Sequence, residues 1–177
     1  MTNVLRIALG SDHRGYRLRA ALEKDLNREE FQSRYQLMVI GGEEEETIDY
    51  PQVAATVATM VRDHKADFGI LICGTGIGMC VVANKYAGIR AAPCHNTVTA
   101  ELSRRHNNAN ILCLSGSLLG EDTCIDMVHK WLTTDFEGGR HQKRLDKITQ
   151  LENRLFTRKT EQTLDPASRE TEAPLAH

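Results

Sequence analysis

No two of the five cysteines (Cys73, Cys80, Cys94, Cys113 and Cys124) are spaced as CxxC. Their number is odd, so neither a disulfide framework nor a structural zinc site is expected. No run of eighteen apolar residues occurs, so no membrane-spanning helix is expected. The opening MTNVLRIALG lacks the long apolar stretch of a signal peptide, and the closing Leu175-Ala176-His177 is not a peroxisomal signal. A reducing, cytoplasmic setting is the expectation. An excess of either charge is also lacking: 22 Lys+Arg against 24 Asp+Glu leave a net −2. Long-range attraction to nucleic acid or to a membrane surface is therefore not expected, while a local basic pocket for one small anion remains compatible. There is no internal repeat, and the acidic run Glu43–Glu46 reads as a solvated loop.

What is present suits one domain with a sizeable core: 177 residues, 41% of them hydrophobic. Short apolar runs at 4–10, 36–40, 68–73, 88–93 and 110–115 read as strands buried on both faces. Between them lie helical patterns over Tyr16–Leu26, Gln52–Arg62, Gly78–Tyr86, Thr97–His106 and Gly120–Leu132, with Pro51 suited to a first helical turn. Five strands alternating with helices predict an α/β fold. One parallel sheet of five strands with helices on both faces, a three-layer sandwich, is expected. Ligands of such sheets bind beyond the carboxyl ends of the strands. The segments Gly10–His13, Gly74–Gly78 and Pro93–Asn96 all follow strands and are expected on one rim. After Gly138-Gly139, Ile148, Leu151 and Leu155 mark a final amphipathic helix. A domain boundary is expected at residue 156, with the polar stretch 157–177 as an unstructured tail.

The central motif is ILICGTGIGMC, residues 70–80. Glycines between a strand and a helix let successive backbone N–H groups converge on one anion, although a tight turn alone has the same composition. Three familiar loops are excluded. Met79 stands where a dinucleotide fingerprint needs its third glycine and where a cysteine phosphatase loop needs arginine. A P-loop would close on GK[ST], and Met79-Cys80 follows instead. Cys73 could be a small buried hydrophobe. Beside a helix N-terminus its thiol is expected to ionise more readily, so that it can serve as nucleophile or base. Proton abstraction beside a carbonyl would suit a thiolate next to an oxyanion nest. The other four cysteines read as packing residues.

Further polar clusters carry two readings each. In SDHRG, Asp12 and His13 suit proton transfer between oxygens or phosphate binding, and Asp12 equally suits a helix cap. Tyr50 in TIDYP could floor a sugar pocket or pack under the glycine loop. In SRRHNNAN, His106 and Asn107 could address sugar oxygens, or belong to an Asn-rich helix C-cap. Arg140 and Arg144, four apart with His141 beside them, suit a phosphate clamp or a solvated basic face.

Together, GSDHRG, TIDYP, ILICGTGIGMCVVANKYAGIRA, SRRHNNANIL and FEGGRHQKRL resemble, in order and over residues 4–156, the ribose-5-phosphate isomerase type B family. Its relatives include the galactose-6-phosphate and allose-6-phosphate isomerases. The resemblance implies interconversion of ribose 5-phosphate and ribulose 5-phosphate, a step of the pentose phosphate pathway, with no metal and no organic cofactor. It also implies a Rossmann-like fold and a homodimer or higher assembly with active sites at the subunit interface. A six-carbon sugar 6-phosphate is the alternative substrate. By the same resemblance, Cys73 is the base between C2 and C1. The amides of Gly74, Thr75, Gly76, Ile77 and Gly78 form the oxyanion hole, and Thr75 adds a hydroxyl. Asp12 handles protons on the sugar oxygens, His106 assists ring opening, and Asn107 binds the sugar. Arg140 and Arg144 bind phosphate with His13 and His141 close by, and Tyr50 lines the pocket. One branch of the family has a glutamate base at the position of Met79, which places this chain in the cysteine branch. One departure stands out: the family usually has an arginine where this chain has Ser117. Lys143 and Arg105 are the candidates to replace it.

Overall fold

The computed structural model describes residues 4–42 and 46–164, with side chains as far as Leu155. Five strands, β1 (Leu5–Ser11), β2 (Tyr35–Ile40), β3 (Phe68–Cys73), β4 (Ala91–Pro93) and β5 (Ile111–Ser115), form one sheet in the order β2-β1-β3-β5-β4. Every pairing is parallel. Between the strands run α1 (Tyr16–Leu26), α2 (Glu29–Gln32), α3 (Tyr50–Arg62), α4 (Ile77–Ala83), α5 (Thr97–Asn107) and α6 (Glu121–Leu132), as the predicted α/β class requires.

The period of two along each strand sends alternate side chains into two separate cores. Ile7, Leu9, Ile70, Ile72, Leu112 and Leu114 meet α1 and α6 on one face. Ala8, Leu71, Cys73, Ile111 and Cys113 meet α3 and α4 on the other. The leucines four apart in α1, Leu18, Leu22 and Leu26, are all buried, as are Val53, Val57 and Val61 of α3. Trp131 of α6 is fully buried. Its ring meets Phe68 edge-on at 5.0 Å, and its Nε1 donates to Ser103 Oγ at 3.1 Å.

The sequence reading needs four adjustments. Only the inner part of the sheet is buried on both faces; β2 and β4 are edges, with partly exposed residues. The strand expected over 88–93 shrinks to Ala91–Pro93, because the Asn110 side chain accepts from the Arg90 N–H and donates to the Gly88 carbonyl, holding 88–90 as a turn. The one-turn α2 is too short to show a period; its Phe31 packs on Tyr35 and His129. Finally, the chain divides into units Met1–Gly138 and Gly139–His177. The second unit holds α7, Arg140–Leu164, whose backbone crosses the boundary expected at 156. The reason is local: Thr157–Leu164 contains neither glycine nor proline and is rich in Lys, Arg, Glu and Gln, which sustain a helix. The rest of the expected tail, 165–177, lies outside the described residues.

Trp131→Ala is expected to destabilise the protein by about 3–5 kcal/mol, since it empties the largest fully buried side chain. Denaturant unfolding of the variant against the parent checks this.

Candidate active site

The chain order reverses between β1 and β3. After β1 it moves outward to β2, then returns to place β3 on the other side of β1. At such a switch point the connections diverge to opposite faces and leave a crevice at the carboxyl ends of the strands. A cleft of about 310 Å³ lies there, lined by Asp12, His13 and Arg14 after β1, by Cys73, Gly74, Thr75 and Gly78 after β3, and by Tyr50.

Cys73 ends β3, is 5% exposed, and accepts a hydrogen bond on Sγ from the Gly76 N–H at 3.1 Å. That bond needs a sharp turn. Gly76 has φ +77°, and a Cβ there would stand 3.0 Å from the backbone carbon of Leu114, so no other residue fits without strain. Gly78 is small for a different reason: the Tyr50 ring lies against it, and a Cβ would come within 2.8 Å of the ring. Tyr50 thus both lines the cleft and packs on the loop, joining the two readings of TIDYP. The Ile77 N–H donates to Thr75 Oγ1 at 3.3 Å. The N–H groups of Gly74, Thr75 and Gly78 make no hydrogen bond to another described residue.

Asp12 is buried, and its Oδ1 accepts from the N–H groups of Arg14 (2.9 Å) and Gly15 (3.0 Å). The carboxylate therefore shapes the turn into α1 and lines the cleft as well. His13 Nδ1 lies 3.4 Å from the Ile48 carbonyl. Arg14 was not among the expected site residues, although its neighbours on both sides in SDHRG pointed to this loop.

Other expected residues stand elsewhere. Pro93–Asn96 follows β4, but Asn96 serves as the N-cap of α5, its Oδ1 accepting from Thr99 N–H at 2.8 Å. His106 and Asn107 end α5, just before β5 begins. Strand β5 runs from Ile111, beside Gly69, to Ser115, beside Cys73. The end of α5 is thus at the edge where β3 starts, and four strand residues, about 13 Å, separate that level from Cys73. The turn there is firmly held. Asn108 takes the left-handed conformation (φ 45°), and buried Arg104, stacked on Phe68 and Trp131, donates to Asn108 Oδ1 and the Ala109 carbonyl. The C-cap reading of SRRHNNAN is therefore right as far as it goes. His106 Nε2 lies 3.6 Å from the Glu137 carboxylate. Arg105 pairs with Glu101 and Glu137 and is not spare to replace an arginine at 117. In the second unit, Arg140, His141 and Arg144 occupy the first turns of α7, and Arg140 Nε donates to His141 Nε2 at 3.3 Å.

Among the remaining thiols, all free, Cys80 departs from the expectation of inert packing. It is buried beneath the loop, yet its pKa is lowered to about 7, first by a hydrogen bond from Cys113 and then by Asn84 Nδ2, 3.3 Å away, against the opposing effect of burial. The same contact, followed by burial, pushes the Cys113 thiol well up. Burial raises Cys94, and Cys124 to about 11. The partner of Cys80 comes from a distant strand, so nothing adjacent in the sequence signals it.

Residues 7–148 match the family model described as Ribose/Galactose Isomerase. Ribose-5-phosphate isomerase B of Escherichia coli K12 is 40% identical over 149 residues, 84% of this chain and 97% of that protein. The structure of ribose-5-phosphate isomerase B from Clostridium thermocellum is 41% identical with a TM-score of 0.81, covering 85% of this chain and 99% of that one. The enzyme from Mycoplasma genitalium, solved with bound ribulose-5-phosphate, is 38% identical with a TM-score of 0.75, covering 86% and 99%. By these matches this chain belongs to the ribose/galactose isomerase family, and its thiol and glycine loop lie at the switch point of the α/β sheet.

In a Cys73→Ala background, ultraviolet thiolate absorbance is expected to rise with a midpoint near pH 7, and Cys80→Ser should remove that step. The shift is downward in the folded state. Its stabilising effect is therefore complete above the ordinary thiol pKa of about 8.5 and is lost as pH falls through about 7. Absence of any thiolate step below pH 8 would contradict the assignment.

Proposed function

We propose that the protein interconverts ribose 5-phosphate and ribulose 5-phosphate, with Cys73 as the base. The observation that carries this reading is the sulfur at the end of β3, held at 3.1 Å by the Gly76 N–H inside the cleft of Asp12, His13, Tyr50 and the glycine loop. In the open-chain aldose, the Cys73 thiolate takes the proton from C2, and the C2 electrons move to form an enediolate with charge on the carbonyl oxygen. The free N–H groups of Gly74, Thr75 and Gly78 face that charge. Asp12, helped by the Thr75 hydroxyl, moves the proton between the two oxygens. Cys73 then returns its proton to C1, giving the ketose. Arg140 and Arg144, with His13 and His141, bind the phosphate. A reducing cytoplasm keeps the thiol available.

His106, which assists ring opening in this reading, and Asn107, which binds the sugar, stand at the far edge of the sheet from their own Cys73. We infer a homodimer or larger assembly in which the α5 end of one copy reaches the cleft of another. Ile77 and Val81, one turn apart on α4, and Leu118 after β5 are each more than half exposed. Such an apolar patch beside a cleft suits a subunit contact. Among the described residues no helix is long and apolar enough to cross a membrane. A six-carbon sugar 6-phosphate is the second reading, favoured by the smaller Ser117 where the family has arginine.

In a coupled assay with ribose 5-phosphate, Cys73→Ala should lower kcat by roughly 10³-fold or more while the fold and phosphate binding persist; near-normal turnover would remove the base. Arg144→Ala should chiefly raise KM. Parallel assays on allose and galactose 6-phosphates decide the substrate. Co-expressed Cys73→Ala and His106→Ala chains should regain activity, because a mixed dimer holds one intact site. Failure of the mixture to exceed either variant would place both groups in one chain.

A further inference from the structure

The cleft holds one charged side chain to which the proposed mechanism gives no task. Arg14 is exposed on the cleft wall, two residues after Asp12. Its backbone N–H is fixed on the Asp12 carboxylate, which anchors its Cα, but among the described residues no carboxylate pairs with its guanidinium. Several other cations of this unit are paired with carboxylates: Arg6 with Asp67, Arg28 with Asp25 and Glu30, Arg62 with Asp63, Arg105 with Glu101 and Glu137.

The location of Arg14 is specific. A methyl group on Gly74, the residue after Cys73, would stand 3.1 Å from Arg14 Cδ, 3.5 Å from Arg14 Nη1 and 3.6 Å from Ser117 Oγ. The guanidinium therefore lies over the glycine loop at Gly74, beside Ser117. Ser117 is itself fixed there, its N–H donating to the Gly74 carbonyl at 3.1 Å. An arginine projecting from position 117 and one projecting from position 14 would deliver a guanidinium to the same place.

We propose that Arg14 is a further phosphate-binding cation of this cleft, holding the phosphate of the sugar phosphate in place of the arginine absent at 117. This rests on the sugar-phosphate reading of the site. A guanidinium keeps its charge at all relevant pH values and cannot relay protons, which matches it to the group whose charge is constant through the reaction. The phosphate is that group, whereas the oxyanion at C1 or C2 appears only transiently and has the loop N–H groups to receive it. Equal interaction with ground and transition states acts on KM rather than on kcat.

The test measures kcat and KM for ribose 5-phosphate, and calorimetric binding of inorganic phosphate, in the parent, Arg14→Ala, Arg14→Lys and the double variant Arg14→Ala/Ser117→Arg. Arg14→Ala should raise KM and weaken phosphate binding by roughly 10- to 100-fold, with kcat changed less than about threefold. Arg14→Lys should fall between, and the double variant should recover most of the lost affinity. Two results would overturn the proposal: both quantities within about twofold of the parent in correctly folded Arg14→Ala, or a fall in kcat with KM unchanged. A parent that binds phosphate without turning over ribose 5-phosphate would remove the ribose 5-phosphate reading alone, and phosphate binding would still judge Arg14.

Discussion

The hydrogen bond from the Gly76 N–H to Cys73 Sγ is the contact around which the cleft is organised. It requires Gly76 to turn left-handed directly against the backbone of Leu114. It also requires β5 to hold the loop from the side. The Ser115 hydroxyl donates to the Gly74 carbonyl at 2.7 Å, the Gly116 N–H to the Cys73 carbonyl at 2.8 Å, and the Ser117 N–H again to Gly74. The Cys73 and Gly74 carbonyls are thereby occupied, while the N–H groups of Gly74, Thr75 and Gly78 make no hydrogen bond to another described residue. A preformed set of donors needs no reorganisation when charge develops, which is why such loops favour reactions that pass through an oxyanion. The same sheet register that buries Cys113 toward α4 also brings it to Cys80, and that contact lowers the Cys80 thiol pKa.

The parallel sheet sets the distance between the two groups of proposed site residues. In a βα unit the helix returns the chain to the starting edge of the sheet, so a residue at the end of a helix stands a full strand length from the strand-end loops. Asp12 and His13 follow β1 and Cys73 ends β3; His106 and Asn107 end a helix. If both groups serve one substrate, as proposed above, they come from two copies of the chain, and Ile77, Val81 and Leu118 are exposed apolar residues available to such a contact.

Much of this was legible in the sequence because local chemistry determines it. Near-continuous apolar runs located all five strands, and leucines or valines four apart located α1 and α3. The glycines of residues 74–78 marked the loop, and its position after a strand placed Cys73 on the ligand-binding edge. What stayed hidden depends on residues far apart in the chain. Edge and inner strands differ only in their neighbours, so β2 and β4 read like β1. The Asn110 side chain that shortens β4 acts from the start of another strand. The Cys80–Cys113 contact crosses from α4 to β5. Arg14 carries no signal of its own in the sequence, because its place in the cleft follows from its proximity to Gly74 and Ser117, which only the fold creates.

The central claim is that this cleft moves a proton through an enediolate. The most direct measurement is proton NMR of ribose 5-phosphate incubated with the protein in heavy water. The account predicts ribulose 5-phosphate carrying solvent deuterium at C1, because the abstracted proton resides on a thiol open to exchange. Ketose formed with the original C2 hydrogen wholly retained at C1 would point to hydride transfer and contradict the account, as would the absence of any ketose.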